Sequence, residues 1–334
     1  MTASAHDQPA HDQPRVVTFG GGTGLATLLA GLKDKTPNVT AIVTVADDGG
    51  SSGRLRQDMG MIPPGDIRSC LEALAGDELM RRLFDYRFEE GPLDGHSMGN
   101  LIMAALTRVT GDFEQAVEHA ARMLNAAGRV IPSSTQMVSL RAETGDGATV
   151  EGQHNISCSG GSCRRVWLEP AAPSATTAAV EAIDSADLLV LGPGSLFTSV
   201  IPNLLIPDIN DAVHRSAAPC LFVCNVMTQP GETLGFSVAD HAAALVDHIG
   251  EGTFDTVLAN TSEPTPDIIE AYGREGAAPV TVDEDRVAGL GLRLLLADVG
   301  FANDHFRHDS RRLAAAVMSL LTVHNPLGDG GSQD

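Results

Sequence analysis

Arg15-Val16-Val17-Thr18-Phe19-Gly20-Gly21-Gly22-Thr23-Gly24-Leu25 decides the fold of this chain. Its first half is an apolar, β-rich run that stops at a cluster of glycines, after which Leu25, Leu28, Leu29 and Leu32 recur at helical spacing. Strand, glycine loop and helix in that order predict a turn at the carboxyl edge of a parallel sheet. Such a loop offers a ligand free backbone N–H groups, no Cβ atoms in the way, and a helix N-terminus whose partial positive charge favours an anion. Gly21, Gly22, Thr23 and Gly24 are therefore candidate phosphate-binding residues. The competing reading is a tight turn that packs helix on strand. The loop departs from the dinucleotide fingerprint, because Thr27 stands where a third small residue belongs, and it has no Walker lysine.

Working outward, Val39-Thr40-Ala41-Ile42-Val43-Thr44-Val45 reads as a strand covered on both faces and completes a βαβ unit. It leads to Asp47 and Asp48, about twenty residues beyond the loop, where dinucleotide-binding folds keep the acid that grips a ribose. Either acid is placed to hold a ribose hydroxyl or a magnesium ion, or more plainly to cap neighbouring N–H groups. The glycines, Ser51, Ser52 and Arg54 that follow form a loop expensive in chain entropy without a ligand, and predict a second phosphate or sugar contact. Asp66 stands as the expected N-cap of a helix carrying Ile67, Leu71 and Leu74, with Arg68 beside it. Asn100 lies at the start of a further helix, placed to reach a base or sugar, although helix-capping chemistry explains the segment equally well.

The βα rhythm resumes at Leu188-Leu189-Val190-Leu191, which runs into Gly192-Pro193-Gly194-Ser195, and at Cys220-Leu221-Phe222-Val223-Cys224, which runs into Asn225. Repeated units of this kind predict an α/β fold. The expected architecture is a doubly wound, mostly parallel Rossmann-like sheet with helices on both faces and a ligand site along the carboxyl ends of the strands. Gly192, Gly194 and Ser195 would clamp one end of a diphosphate whose other end sits on the first loop, with Asn225 close by. Turn signals at Thr144-Gly145-Asp146-Gly147 and Ser159-Gly160-Gly161 predict a small β-meander inserted at about 137–168.

Of the 334 residues 43% are hydrophobic and 19% charged, enough to bury a large core. We read one domain over 15–325 between polar tails, 1–14 and 326–334, that are expected to be disordered. A formal charge of −21 counts against a protein that binds nucleic acid by neutralising phosphates. No apolar run approaches the roughly 20 residues of a membrane span, and the N-terminus lacks the apolar stretch of a signal peptide. Five cysteines without metal or redox spacing indicate free thiols in a reducing compartment. His241 and His248, on one predicted helix face, read as packed or solvated side chains rather than zinc ligands.

Gly20-Gly21-Gly22-Thr23-Gly24-Leu25, Ala46-Asp47-Asp48-Gly49-Gly50-Ser51-Ser52-Gly53-Arg54 and Pro63-Pro64-Gly65-Asp66-Ile67-Arg68 resemble the signature of the YvcK/CofD family, in its YvcK or gluconeogenesis factor branch. Similarity extends through Gly95-His96-Ser97-Met98-Gly99-Asn100 and Asn225-Val226-Met227-Thr228-Gln229-Pro230-Gly231-Glu232-Thr233, and covers about 15–320. The resemblance implies a cytoplasmic regulator of cell shape and envelope synthesis during gluconeogenic growth. Such a protein binds UDP-sugars such as UDP-N-acetylglucosamine, and a regulatory protein partner and a homo-oligomer are further expectations. On this reading Gly21, Gly22, Thr23 and Gly24 hold one end of the diphosphate, Gly194 and Ser195 donate to the other, Asp47 or Asp48 grips a hydroxyl, and Arg54 or Arg68 offsets phosphate charge.

The sister CofD branch implies an alternative, a magnesium-dependent transferase of a phospholactyl group from a nucleotide-diphosphate donor, with Asp48 and Asp66 holding the metal. A nicotinamide-dependent oxidoreductase is a third class, but no hydride-transfer constellation accompanies the glycine loop, so NAD would be a surrogate diphosphate ligand. No catalytic residue is assigned.

Overall fold

The computed structural model describes residues 13–159, 162–303 and 305–324. Its first strands are β1 (Val16–Gly20), β2 (Val39–Val43) and β3 (Arg129–Pro132), followed by β4 (Ser139–Thr144), β5 (Thr149–Glu151) and β6 (Cys163–Glu169). Then come β7 (Leu188–Leu191), β8 (Cys220–Val223), β9 (Thr256–Asn260), β10 (Arg293–Ala297), β11 (Gly300–Ala302) and β12 (Phe306–His308). Seven of them form one sheet in the order β10-β9-β8-β7-β1-β2-β3, parallel throughout. Every residue of β1, β2, β7 and β8 is buried, which is why their sequences run apolar without alternation: both faces of a parallel sheet lie under helices. This is the doubly wound architecture expected.

The helices that matter for the site are α1 (Gly22–Leu32), α2 (Gly50–Met59), α3 (Gly65–Leu74), α4 (Glu78–Asp85), α5 (Met98–Thr110), α6 (Phe113–Met123) and α7 (Gln153–Cys158). The apolar stripe of α1 buries Leu25, Leu28, Leu29 and Leu32. At Gly31 that helix meets helix Ser310–His324 so closely that a Cβ would lie 1.9 Å from the carbonyl oxygen of Ser310.

The insertion differs from the expected meander. β4 and β5 form an antiparallel hairpin, but the chain then makes α7 and returns as β6 on the opposite side of β4, giving the order β5-β4-β6. The interposed helix carries the chain away from β5 before β6 begins. Three further elements lacked a sequence signal: the edge strand β3, the two-stranded ribbon β11–β12, and a turn of π-helix at Leu196–Val200.

Of the expected tails, Gln13 and Pro14 are described, and their carbonyls accept hydrogen bonds from Asn38 and Thr36; the rest of both tails lies outside the described residues. His248 accepts the Val166 N–H through Nε2, and His241 is fully buried, so both are packed. Among the described residues no helix is long and apolar enough to cross a membrane.

Candidate functional site

The chain winds outward from β1 through β2 to β3, and outward in the other direction from β7 to β10. β1 and β7 are neighbours, so the two glycine loops that follow them meet at the point where the strand order reverses, where open α/β sheets bind ligands. They meet closely. A Cβ on Gly24 would lie 2.8 Å from both the Gly194 Cα and the Pro193 carbonyl oxygen, so glycine is required there by loop-on-loop packing. Gly22 has φ +60, a conformation that L side chains rarely adopt. A cleft of about 440 Å³ opens over this junction, lined by Gly21, Gly22, Thr23, Gly24, Gly194, Ser195 and Asn225. It is lined further by residues without a sequence signal of their own, Gln229 beside the second loop and Tyr272, Arg307 and His308 on the facing wall.

At the N-terminus of α1 the capping residue is Gly21, which has no side chain to satisfy the first-turn N–H groups. The Gly22 N–H is taken by the Asp66 carboxylate, whereas those of Thr23 and Gly24 have no carbonyl partner within their own helix. This is the anion-favouring end of the cleft.

The second loop is built differently. Glu232 sits at the start of the π-turn, where its buried carboxylate accepts the Phe197 N–H at 3.2 Å, the Thr198 hydroxyl at 2.9 Å and the Ser157 hydroxyl at 3.2 Å. Burial pushes the Glu232 pKa up. The helix-like N-terminus after the second loop is thus filled by the protein's own carboxylate, and what this loop presents is a latch. Asn225 Nδ2 donates to the Gly194 carbonyl at 2.9 Å and to Gln229 Oε1 at 3.1 Å, while Gln229 Nε2 donates to Ser195 Oγ at 2.9 Å. Gly192 is used structurally, its N–H donating to the Phe19 carbonyl at 2.8 Å.

Behind the first loop lies a second polar cluster. The N-cap of α3 is Pro64, so Asp66 falls inside the first turn, a correction to its expected capping role. Its carboxylate turns back toward the glycine loop instead: a Cβ on Gly21 would lie 2.2 Å from Asp66 Oδ2, an atom that is buried without a hydrogen-bond partner. Burial, with the neighbouring Asp47 charge, pushes the Asp66 pKa up to about 8. Burial also raises Asp47, although the Gly49 N–H at 2.9 Å and the Ser52 hydroxyl favour its charged form. Two close, desolvated carboxyls share a proton more readily than they both ionise. Nearby, Ser51 Oγ lies 2.9 Å from His96 Nδ1 and accepts from Asn100 Nδ2 at 3.0 Å.

The remaining candidates are held elsewhere. Asp48 accepts the His154 N–H at 2.9 Å and so caps α7 of the insertion. Arg54 donates to the Asp94 carbonyl at 2.7 Å, and Arg68 pairs with Glu72 at 2.6 Å. The structure therefore divides the candidates into a cleft group (Gly21–Gly24, Gly194, Ser195, Asn225) and a cluster behind it (Asp47, Asp66, Ser51, Ser52, Asn100), separated by one thickness of backbone at Gly21.

The family model for 2-phospho-L-lactate transferase CofD matches residues 16–300, and the chain belongs to that family. Within it, a Bacillus subtilis protein described as gluconeogenesis factor is 46% identical over 312 residues, spanning 92% of this chain and 98% of that one. A Halalkalibacterium halodurans protein of the same description is 45% identical over 314 residues, spanning 91% of this chain and 95% of that one. An X-ray crystal structure of a Bacillus halodurans protein superposes with a TM-score of 0.90 at 43% identity, over 92% of this chain and 100% of that one.

Proposed function

We propose that this chain is a cytoplasmic regulator that binds a UDP-sugar of the UDP-N-acetylglucosamine kind and reports envelope-precursor supply to a protein partner during gluconeogenic growth. The observation that carries the reading is the open N-terminus of α1 in the same cleft as Arg307. Arg307 is exposed and makes no ion pair among the described residues, so its guanidinium is available to a phosphate in a chain of charge −21. Charges beyond about 8 Å are screened at physiological salt, which leaves such local donors in control. The relatives described as gluconeogenesis factors add support.

Thermal unfolding with UDP-N-acetylglucosamine, UDP, GDP and NAD, each with and without magnesium, tests this. Ligand at 100 times its dissociation constant adds about 2.7 kcal/mol, and we expect that shift with the UDP-sugar without magnesium. Gly22→Val should abolish it and Arg307→Ala should weaken binding about tenfold or more, the worth of one charge-assisted phosphate contact. No shift with any nucleotide would remove the proposal.

A second reading, the magnesium-dependent transferase, is favoured by the family model and by the pairing of Asp66 with Asp47. Asp48 is engaged on α7, so Asp47 is the better partner for Asp66. Two carboxylates fit magnesium, which takes one or two from the protein and completes its shell with water and substrate phosphate. Among the described residues no group of three or more His, Cys, Asp or Glu side chains gathers as a metal site. There Asp47 and Asp66 would hold the ion, which would neutralise charge on the leaving phosphate. A GDP shift that requires magnesium, with release of nucleoside monophosphate that Asp47→Asn abolishes, would favour this reading.

A further inference from the structure

β12 ends at His308, one of the residues that line the cleft. One ring nitrogen bonds the backbone of Cys224, the residue that follows β8. The other, Nε2, is shielded from solvent and has no hydrogen-bond partner among the described residues. A backbone carbonyl accepts only, so the proton sits on Nδ1 and Nε2 carries a bare lone pair. Burial holds the imidazole pKa down to about 4, so the ring stays neutral at physiological pH and Nε2 remains an acceptor. Two other acceptors that line the cleft have partners inside the protein: Glu232 receives three donors and Gln229 Oε1 receives Asn225. Buried polar atoms are rarely left unpaired, and one in the wall of a ligand cleft points to a contact that the ligand supplies.

We propose that His308 is a specificity-determining residue whose Nε2 accepts a hydrogen bond from a donor on the bound nucleotide, either the imide N–H of uracil or a ribose hydroxyl. This rests on the nucleotide reading above and adds to it the polarity of one subsite. A ligand without that donor leaves Nε2 buried and unpaired, and sites of this kind reject such analogues far more strongly than apolar pockets reject a missing methylene.

The test is calorimetric titration of the full chain with UDP, N3-methyl-UDP, 2′-deoxy-UDP and 3′-deoxy-UDP, repeated in His308→Phe and His308→Gln. In the wild type, the analogue that has lost the relevant donor should bind at least tenfold more weakly than UDP. The methyl analogue reports the imide source and the deoxy analogues the hydroxyl source. In His308→Phe, UDP should fall to the level of that analogue and the difference between them should vanish. His308→Gln, which offers an amide oxygen, should keep part of the discrimination and shows that the effect is not loss of the fold. Equal penalties in the wild type and His308→Phe, or none in the wild type, would overturn the inference while leaving the nucleotide reading standing. Failure of every nucleotide to bind the wild type would overturn both.

Discussion

Gly24→Ala should lower stability by about 3 kcal/mol, the upper range for overpacking a fixed site, and should abolish the UDP-sugar shift. The added methyl would lie 2.8 Å from backbone atoms of Gly194 and Pro193, and backbone has no rotamer with which to move aside. Relief therefore requires the two loops to part, which means shifting the ends of β1 and β7, paired through Phe19 and Leu191. Gly273→Ala is the control. It is also helical, nothing lies within 4 Å of its would-be Cβ, and alanine is the better helix former, so it should be neutral or slightly stabilising. Urea unfolding of both variants decides the matter; equal stabilities would show that the two loops are not locked together.

Asp66→Asn should flatten the dependence of stability on pH. The folded Asp66 holds its proton up to about pH 8, whereas an unfolded aspartate releases it near 3.9. Between those values the folded state binds more protons, so its stability is full below about pH 4 and falls as pH rises toward 8. The span sets a ceiling on the order of 5 kcal/mol. Asparagine mimics the protonated acid, and its amide oxygen still accepts the Gly22 N–H. The variant should match the wild type near pH 5 and exceed it by ~1–3 kcal/mol at pH 8. Asp187, whose pKa the Arg15 hydrogen bond lowers, acts in the opposite sense and in more acid solution, outside this window. Parallel stability curves for the two proteins from pH 5 to 8 would refute the assignment.

Local signals made the sheet legible. β1, β2, β7 and β8 are uninterrupted apolar runs that end in glycine or polar loops, and that combination has few structural solutions. The adjacency of the two glycine loops followed from doubly wound topology. What escaped were features that depend on contacts distant in sequence. Glu232 lies 35 residues from Phe197, and nothing local announces that it fills that helix end. Asp48 looks like a ribose ligand until α7, 106 positions away, presents the His154 N–H. Tyr272, Arg307 and His308 belong to segments with no motif of their own and enter the cleft only through the fold. The signal available for Glu232 is its place in the Asn225–Thr233 run, but a local run does not say which distant helix end its carboxylate fills.

The two walls of the cleft differ in stiffness. Its floor hangs from the centre of a seven-stranded sheet and is cross-tied by Asn225 and Gln229, so the entropy of shaping it is spent during folding and association should involve little rearrangement there. The facing wall is borne in part on a ribbon of two three-residue strands, the kind of element that opens at low free energy. On the regulatory reading proposed above, a response to ligand would travel outward from the ribbon rather than through the stiff floor.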